Sequence, residues 1–286
     1  MPNLADHQSN EYTKLLLIGD SKSGKTGSLV SLVKAGYKLR ILDLDNLLGI
    51  LKQYVLHECP ELICNVEHCT LRDKQKASPI GPIIENPQAY VKAIKMLDRW
   101  KYDDVDLGVP AAWGPDCILV IDSLSRLCDA AYDFRLPLAT VGKGGQIDKR
   151  AVFYDAQQSI ESNLANLTSD NFKTNVIVIA HVRYMEMEDG TTKGFPQGVG
   201  KALGPIIPQY FPSVVLYTNK GGKRTLQTNS TPLIDLANPK PFEMQPSYPI
   251  NTGLAQFFEV LRGPTQKQEA VIKQTVTKQP TQLRRL

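Results

Sequence analysis

The amino-acid sequence predicts an α/β fold: a mainly parallel sheet flanked by helices, with an antiparallel edge near the C-terminus. Three observations carry this. The uninterrupted apolar runs Leu15-Leu16-Leu17-Ile18, Cys117-Ile118-Leu119-Val120-Ile121 and Val176-Ile177-Val178-Ile179-Ala180 read as strands covered on both faces, as parallel strands are. Segments of helical length separate them, and alternating βαβ units imply a parallel sheet. Past His181 the pattern changes, and residues 213–218 and 223–228 read as strands paired around Gly221-Gly222.

Each element follows in order. The run 15–18 leads into a glycine-rich turn, and residues 28–35 form the first helix, ended by Gly36. A second strand covers 38–44 and a helix 46–55. Residues 63–71 are a third strand, and 86–100 a helix with Pro87 in its first turn. The strand 117–121 is followed by a helix over 123–133, another over 151–167, and the strand 176–180. Residues 183–199 carry glycines and charges without periodicity and read as a loop. Residues 232–249 hold five prolines and read as an irregular wrap, followed by a short helix over 252–261.

Size and composition set limits. A chain of 286 residues, 42% hydrophobic, can bury one large α/β core. No stretch has the apolar length of a membrane span, and the polar start lacks a basic region followed by an apolar one, so a cytoplasmic protein without membrane partners is expected. Five cysteines without a regular framework suit reduced thiols. The formal net charge is +4, and residues 263–286, with five basic side chains against one acidic, carry that whole excess. Such a tail suits a phosphate backbone as a partner, or a solvated end.

The chemistry concentrates in residues 19–26, Gly-Asp-Ser-Lys-Ser-Gly-Lys-Thr, a complete G-x-x-x-x-G-K-[ST] phosphate loop. A strand turning into a helix here leaves backbone N–H groups of Gly19, Asp20, Ser21, Lys22, Ser23, Gly24, Lys25, Thr26 and Gly27 free to surround the phosphates of ATP. Gly19 and Gly24 allow a tight turn and close approach of the anion. Lys25 supplies charge to the β- and γ-phosphates, and Thr26 a hydroxyl to Mg²⁺.

An ATPase also needs a carboxylate at a neighbouring strand end, and Asp122 is in that position, as the second Mg²⁺-holding residue. Ser123 follows it, so the water-activating group must come from elsewhere. The strand after the first helix ends Asp43-Leu44-Asp45, with both carboxylates on one face. Asp45 is the choice for orienting or deprotonating water, Asp43 the alternative; a helix cap is the bland reading of Asp45. His181 ends its strand where a ligand crevice opens and suits a γ-phosphate sensor.

Taken together, Gly19 to Thr26, Asp43/Asp45, Ile118-Leu119-Val120-Ile121-Asp122-Ser123 and Ile177-Val178-Ile179-Ala180-His181-Val182 resemble the phage-encoded RecA-like ATPases of the Sak-type single-strand annealing family. The resemblance covers roughly residues 14–228. It implies a RecA-like P-loop NTPase core over residues 13–262, between a flexible start at 1–12 and the basic tail at 263–286. It further implies ATP-dependent binding of single-stranded DNA, self-assembly into a homo-oligomer, and annealing or strand exchange in phage recombination beside a single-strand binding protein, in the host cytoplasm. DNA would be met by the loop 183–199 through Arg183 and Lys193, and by a second loop, 137–150, through Lys143, Lys149 and Arg150. Tyr184 and Phe195 are the aromatic platforms available in the first of these loops. Lys223 or Arg224 would reach the nucleotide of a neighbouring subunit as a trans finger.

Other readings remain. A nucleotide-gated DNA-binding scaffold or helicase loader would need little hydrolysis, and Ser123, which supplies no water-activating carboxylate directly after Asp122, favours it. A small-molecule phosphotransferase would want an arginine-rich lid, and residues 183–199 hold one arginine. Asn219-Lys220 begins like the guanine-reading N-K-x-D, but position 222 is Gly. His57, Cys59, Cys64, His68 and Cys69 lie close in sequence with no known zinc spacing, Cys64 and His68 sharing one strand face and Cys69 the other.

Overall fold

The computed structural model describes residues 11–79, 81, 83–140 and 146–262. The phosphate-loop strand β1 (Lys14–Gly19) runs into α1 (Lys25–Ser28) and α2 (Val30–Lys34). Then come β2 (Lys38–Asp43), α3 (Gly49–Glu58), a 3₁₀ turn (Pro60–Asn65) and β3 (Val66–Thr70). Two short hairpins, β4 (Gln75–Lys76) with β5 (Ile83–Ile84) and β6 (Trp100–Tyr102) with β7 (Val105–Gly108), flank α4 (Ala89–Asp98). The chain continues through β8 (Gly114–Asp122), α5 (Leu124–Arg135), α6 (Lys149–Thr168), β9 (Thr174–Glu186), β10 (Thr192–Pro196), β11 (Ser213–Lys220), β12 (Lys223–Gln227), β13 (Ser247–Pro249) and α7 (Gly253–Arg262).

One mixed sheet in the order β13-β12-β11-β1-β9-β8-β2-β3 organises these elements, with β10 pairing the far end of β9. From β3 to β11 every pairing is parallel; β11-β12, β12-β13 and β9-β10 are antiparallel. The predicted α/β class, parallel core and antiparallel edge near the C-terminus are all present. Strand β1 shows why a continuous apolar run is needed. Leu16 and Ile18 pack with α4, α5 and α6, whereas Leu15 and Leu17 pack on the opposite face with α2, α3 and α7. All four are at most 1% exposed, so a polar residue on either face would be buried without water.

Because β9 and β11 flank β1 on either side, the phosphate loop leaves the sheet between two strand ends. Gly19 is level with His181 on β9 and with Tyr217 on β11, while Asp43 is level with Asp122. All these residues therefore gather at one edge of the sheet, the carboxyl end of its parallel strands, where ligands of such sheets bind.

Several boundaries differ from expectation. The first helix begins at Lys25 rather than 28, because the loop's last turn is already helical, and it is interrupted at Leu29. The helix expected over 46–55 starts at Gly49, since the Asp43 carboxylate accepts the Asn46 N–H at 2.7 Å and holds a turn there. The strand expected over 63–71 starts at Val66, so Cys64 lies in the 3₁₀ turn and shares no strand face with His68. The helix expected over 86–100 spans only Ala89–Asp98.

The largest correction concerns residues 183–199. They are not an open loop: β9 continues to Glu186 and pairs with β10, with Phe195 opposite Arg183. The β9 half of this hairpin is largely exposed, and the positions that β10 buries are Gly194 and Pro196, so no alternation of apolar and polar residues betrays it. Within the expected loop 137–150, Lys149 and Arg150 instead form the first turn of α6, capped by Asp148, whose carboxylate accepts the Arg150 N–H at 3.0 Å. Lys143 lies outside the described residues, as do the tail 263–286 and residues 1–10. Among the described residues, no helix is long and apolar enough to cross a membrane, and no three His, Cys, Asp or Glu side chains gather as a metal-binding group.

Candidate functional site

The phosphate loop closes because glycine and a few strained residues permit it. Lys22 has φ 63° and Gly24 φ 101°, both in the left-handed region. A side chain on Gly24 would also run into Ile250 and come within 3.3 Å of the Arg224 Cδ. A Cβ on Gly27 would stand 2.8 Å from the Tyr54 ring, and one on Gly19 would stand 2.7 Å from the Tyr217 carbonyl oxygen. The octamer's glycines are thus fixed by packing as well as by backbone angle.

Above the loop lies a cleft of about 860 Å³, within the usual range for small-molecule sites. Of the sequence-predicted residues, Ser21, Lys22, Gly24, Lys25, Thr26, Gly27, Asp45, Asp122, His181 and Arg224 line it. Gly19, Asp20 and Ser23 do not line the cleft: the Lys25 ammonium donates to the Gly19 and Asp20 carbonyls, each at 2.8 Å, and Ser23 is buried with its hydroxyl unpartnered among the described residues. Lys223 is outside the cleft. Arg224 lines the cleft of its own chain, a position that requires no neighbouring subunit.

Residues ninety-six positions apart meet at the centre. The Thr26 hydroxyl donates to Asp122 Oδ2 at 2.6 Å. Asp122 is 2% exposed, and burial raises its carboxyl to about 6 against the opposing effect of the Thr26 hydrogen bond, with the nearby Asp45 and Asp43 charges pushing the same way. Burial likewise lowers Lys25 to about 8, while Asp122, Asp20 and Asp45 pull it back up. Backbone hydrogen bonds fasten the strand ends: the Asp122 carbonyl accepts the N–H of Leu44 at 2.6 Å and of Asp45 at 3.3 Å. The peptide between Asp122 and Ser123 is cis.

The two candidate bases part company here. Asp43 is spent on structure: it accepts from Asn46 N–H and, at 3.2 Å, from the Thr70 hydroxyl, and burial raises its pKa. Asp45 does not cap α3, whose N-cap is Leu48. It faces the cleft, with His181 Nε2 3.6 Å from one carboxylate oxygen and Arg126 Nε 3.5 Å from the other, ion-pair separations longer than good hydrogen bonds. Burial pushes Asp45 upward, but His181, Ser123 and Arg126 outweigh it and hold it below the usual carboxylate range. His181 is itself held at its backbone, where its N–H donates to the Ser125 hydroxyl at 3.0 Å.

Sequence reasoning missed Arg126. It occupies the first turn of α5, where a cation opposes the helix dipole, and that disfavoured placement was the available signal. It also missed the apolar wall of the cleft, Leu47, Ile50 and Tyr54, which α3 and its approach leave partly exposed, with Ile250 opposite.

The arrangement can hold a metal nucleotide. Its fit rests on a loop whose Cβ positions are filled by neighbours, an unpartnered buried hydroxyl at Ser23, and a hydroxyl-carboxylate pair of hard oxygen donors, Thr26 and Asp122, of the kind Mg²⁺ prefers.

The residues expected to meet DNA lie elsewhere. Arg183 is exposed and donates to the Gly200 carbonyl at 3.4 Å, and Lys193 pairs with Asp235 at 3.0 Å. Lys149 and Arg150 are exposed on α6. Beside them are aromatics the sequence reading passed over: Phe153, 38% exposed with its ring 4.6 Å from that of Tyr132, and Tyr154, 63% exposed. A Cβ on Gly200 would stand 3.6 Å from the Phe153 ring, so the Gly200 carbonyl that accepts from Arg183 lies close to α6.

No protein-family model matches the chain, and no curated protein sequence matches it. Among solved structures it is similar to the ATPase EscN, in complex with its central stalk EscO, from the type III secretion system of enteropathogenic E. coli, at 10% identity and TM-score 0.43, covering 96% of this chain and 57% of that one. It is also similar to the ATP synthase subunit NeqB from Nanoarchaeum equitans, at 11% identity and TM-score 0.36, covering 73% of this chain and 46% of that one. The chain therefore spans about half the length of these structures.

Proposed function

We propose that this chain is a Mg²⁺-dependent P-loop ATPase that acts on single-stranded DNA in phage recombination, as an annealing or strand-exchange protein of the RecA-like, Sak-type kind. The observation that carries the ATPase reading is the 2.6 Å contact between Thr26 and Asp122, which joins a complete phosphate loop to a buried carboxylate in one cleft. In this reading Lys25 exchanges its carbonyl partners for phosphate oxygens. Thr26 and Asp122 would hold Mg²⁺, which would supply positive charge to offset that of the phosphates. Asp45 orients the attacking water, and His181 senses the γ-phosphate.

Support for the DNA partner comes from geometry along β9. His181 lines the cleft, and Arg183, two residues further on and on the same strand face, stands exposed on the hairpin, so one strand connects nucleotide to a basic surface; Tyr184 is exposed on the opposite face. With Arg150, Phe153 and Tyr154 that surface offers cations for the backbone and rings for unstacked bases. Partnership with a single-strand binding protein and homo-oligomeric assembly belong to the same proposal.

A second reading has its own observation. Asp45 is engaged from both sides and held as a weak base, which suits a nucleotide-gated scaffold or helicase loader with little hydrolysis. Phosphate release, measured with and without single-stranded oligonucleotide for the wild type and Lys25→Ala, decides. Many-fold stimulation by DNA, lost in the variant, supports the ATPase; tight nucleotide binding with negligible release in every case supports the scaffold; unchanged turnover in Lys25→Ala removes both.

A further inference from the structure

The hairpin between β11 and β12 turns on Gly221-Gly222, with φ 57° and 83°, and its register sets Lys220 opposite Lys223, Asn219 opposite Arg224 and Tyr217 opposite Leu226. Two positive φ values are the signature of a tight two-residue turn, and such a turn fixes register. Register in turn fixes faces, because side chains alternate along a strand. Leu226 is fully buried with Leu17, Val33 and Phe257 on the α2 and α7 side of the sheet. Arg224, two residues before it, is on that same side, over the phosphate loop; Lys223 projects from the other.

The contacts agree with the parity. The Arg224 Cδ lies 3.3 Å from the position a Cβ on Gly24 would take, and the side chain lines the cleft with Lys25, Thr26 and Asp122. Arg224 forms no ion pair with any described residue, whereas Lys193, Arg126 and Arg99 are each matched to a carboxylate. An uncommitted guanidinium at the rim of a phosphate cleft is a planar donor fork of the geometry that phosphate oxygens accept.

We propose that Arg224 binds nucleotide in cis: its guanidinium meets the phosphates of a nucleoside triphosphate held by Lys25 of the same chain, rather than those of a neighbouring subunit. This rests on reading the cleft as a triphosphate site. It assigns the hairpin a role opposite to a trans finger, and it separates Arg224 from the adjacent Lys223.

Two measurements test it. In the first, a fluorescent ATP analogue is titrated, with Mg²⁺, into wild type, Arg224→Gln, Arg224→Lys and Lys223→Ala at a dilution where light scattering reports monomer. Arg224→Gln is expected to weaken affinity about tenfold or more, the scale of a lost hydrogen bond to a charged group. Arg224→Lys recovers part of that loss, and Lys223→Ala stays within about twofold of wild type. In the second, Arg224→Gln and Lys25→Ala are co-expressed and phosphate release is measured. In trans, the Lys25→Ala chain would lend its arginine to the intact loop of its neighbour and restore turnover; in cis, no turnover returns. Wild-type affinity in Arg224→Gln, or recovered turnover in the mixture, overturns the proposal while leaving the cleft reading intact. Absence of nucleotide binding by the wild type removes the cleft reading and the proposal with it. Should Arg224→Gln melt well below wild type, Arg224→Lys alone decides, since it keeps the stem that packs on Gly24 and changes only the donor fork.

Discussion

Replacing Asp122 by Asn is expected to make the protein more stable near neutral pH and useless as a metal-nucleotide site. The carboxyl is 2% exposed and its folded pKa stands at about 6, against an ordinary 3.8. A rise of roughly two units, at about 1.36 kcal/mol each, is ~3 kcal/mol of preference for the protonated form in the folded state. The sign follows from that preference. A group with its folded pKa raised contributes stability in full below the unfolded value and loses it as pH climbs through the folded value. Ionised Asp122 therefore costs the fold ~3 kcal/mol above about pH 6, and the cost vanishes below about pH 4. Asn keeps an acceptor for the Thr26 hydroxyl and carries no charge to bury. Lys25 stands at about 8 in the wild type and falls further in the variant, which lacks the Asp122 charge that pulls it up, so its loss of charge works against the Asn protein as pH nears 7.5 and trims the gain there. Urea unfolding of the two proteins from pH 4 to pH 7.5, in EDTA and without nucleotide, reads the effect directly. The curves of stability against pH are expected to meet near pH 4 and to diverge by ~2–3 kcal/mol at pH 7.5, with Asn the more stable. Mg²⁺-dependent nucleotide binding is lost in the same variant. Parallel curves, or an Asn variant weaker at neutral pH, would falsify the claim that Asp122 is a buried charge held for function rather than for stability.

Three other outcomes follow from the same geometry. Gly24→Ala is expected to lose at least ~2 kcal/mol of stability, from a left-handed backbone combined with overlap on Ile250, and chemical denaturation within error of wild type would refute the packing argument. Combined Arg150→Ala and Tyr154→Ala should weaken single-stranded DNA binding by more than tenfold and flatten its salt dependence, measured by fluorescence anisotropy across a salt series, while affinity for nucleotide stays unchanged; equal salt slopes would remove α6 from the DNA surface. Iodoacetamide should label Cys64 first in the folded protein, because Cys64 is exposed while burial raises the thiols of Cys69 and Cys128, and mass spectrometry of partial digests reads the order.

How much was legible in the sequence depended on whether a signal was local. The octamer 19–26 specifies its own conformation through glycine and its own chemistry through Lys25 and Thr26, and nothing distant is needed to recognise it. Strands β1, β8 and β9 were legible because burial on both faces demands an unbroken apolar run. The hairpin of β9 and β10 was not, because its β9 half is largely exposed and the buried positions of β10 are Gly194 and Pro196, residue types that do not read as strand. The choice between Asp43 and Asp45 was likewise out of reach. Both point toward the cleft end of β2, and only the position of Asn46, Thr70, His181 and Arg126 around them separates a turn-holding carboxylate from one facing the cleft.

Chain order alone thus determined a parallel α/β layer with an anion-binding turn at its head, since period, glycine and charge are written residue by residue. Only the folded sheet decided which side chains share the cleft. The strand order inserts β9 between β1 and β8, and so brings His181 beside the loop and Thr26 onto Asp122. The two-glycine turn settles which of two adjacent cations looks inward, since a shift of one residue in register would exchange Arg224 for Lys223. Contacts between residues far apart in the chain depend on strand order and register, and those are fixed by the packing of the whole sheet.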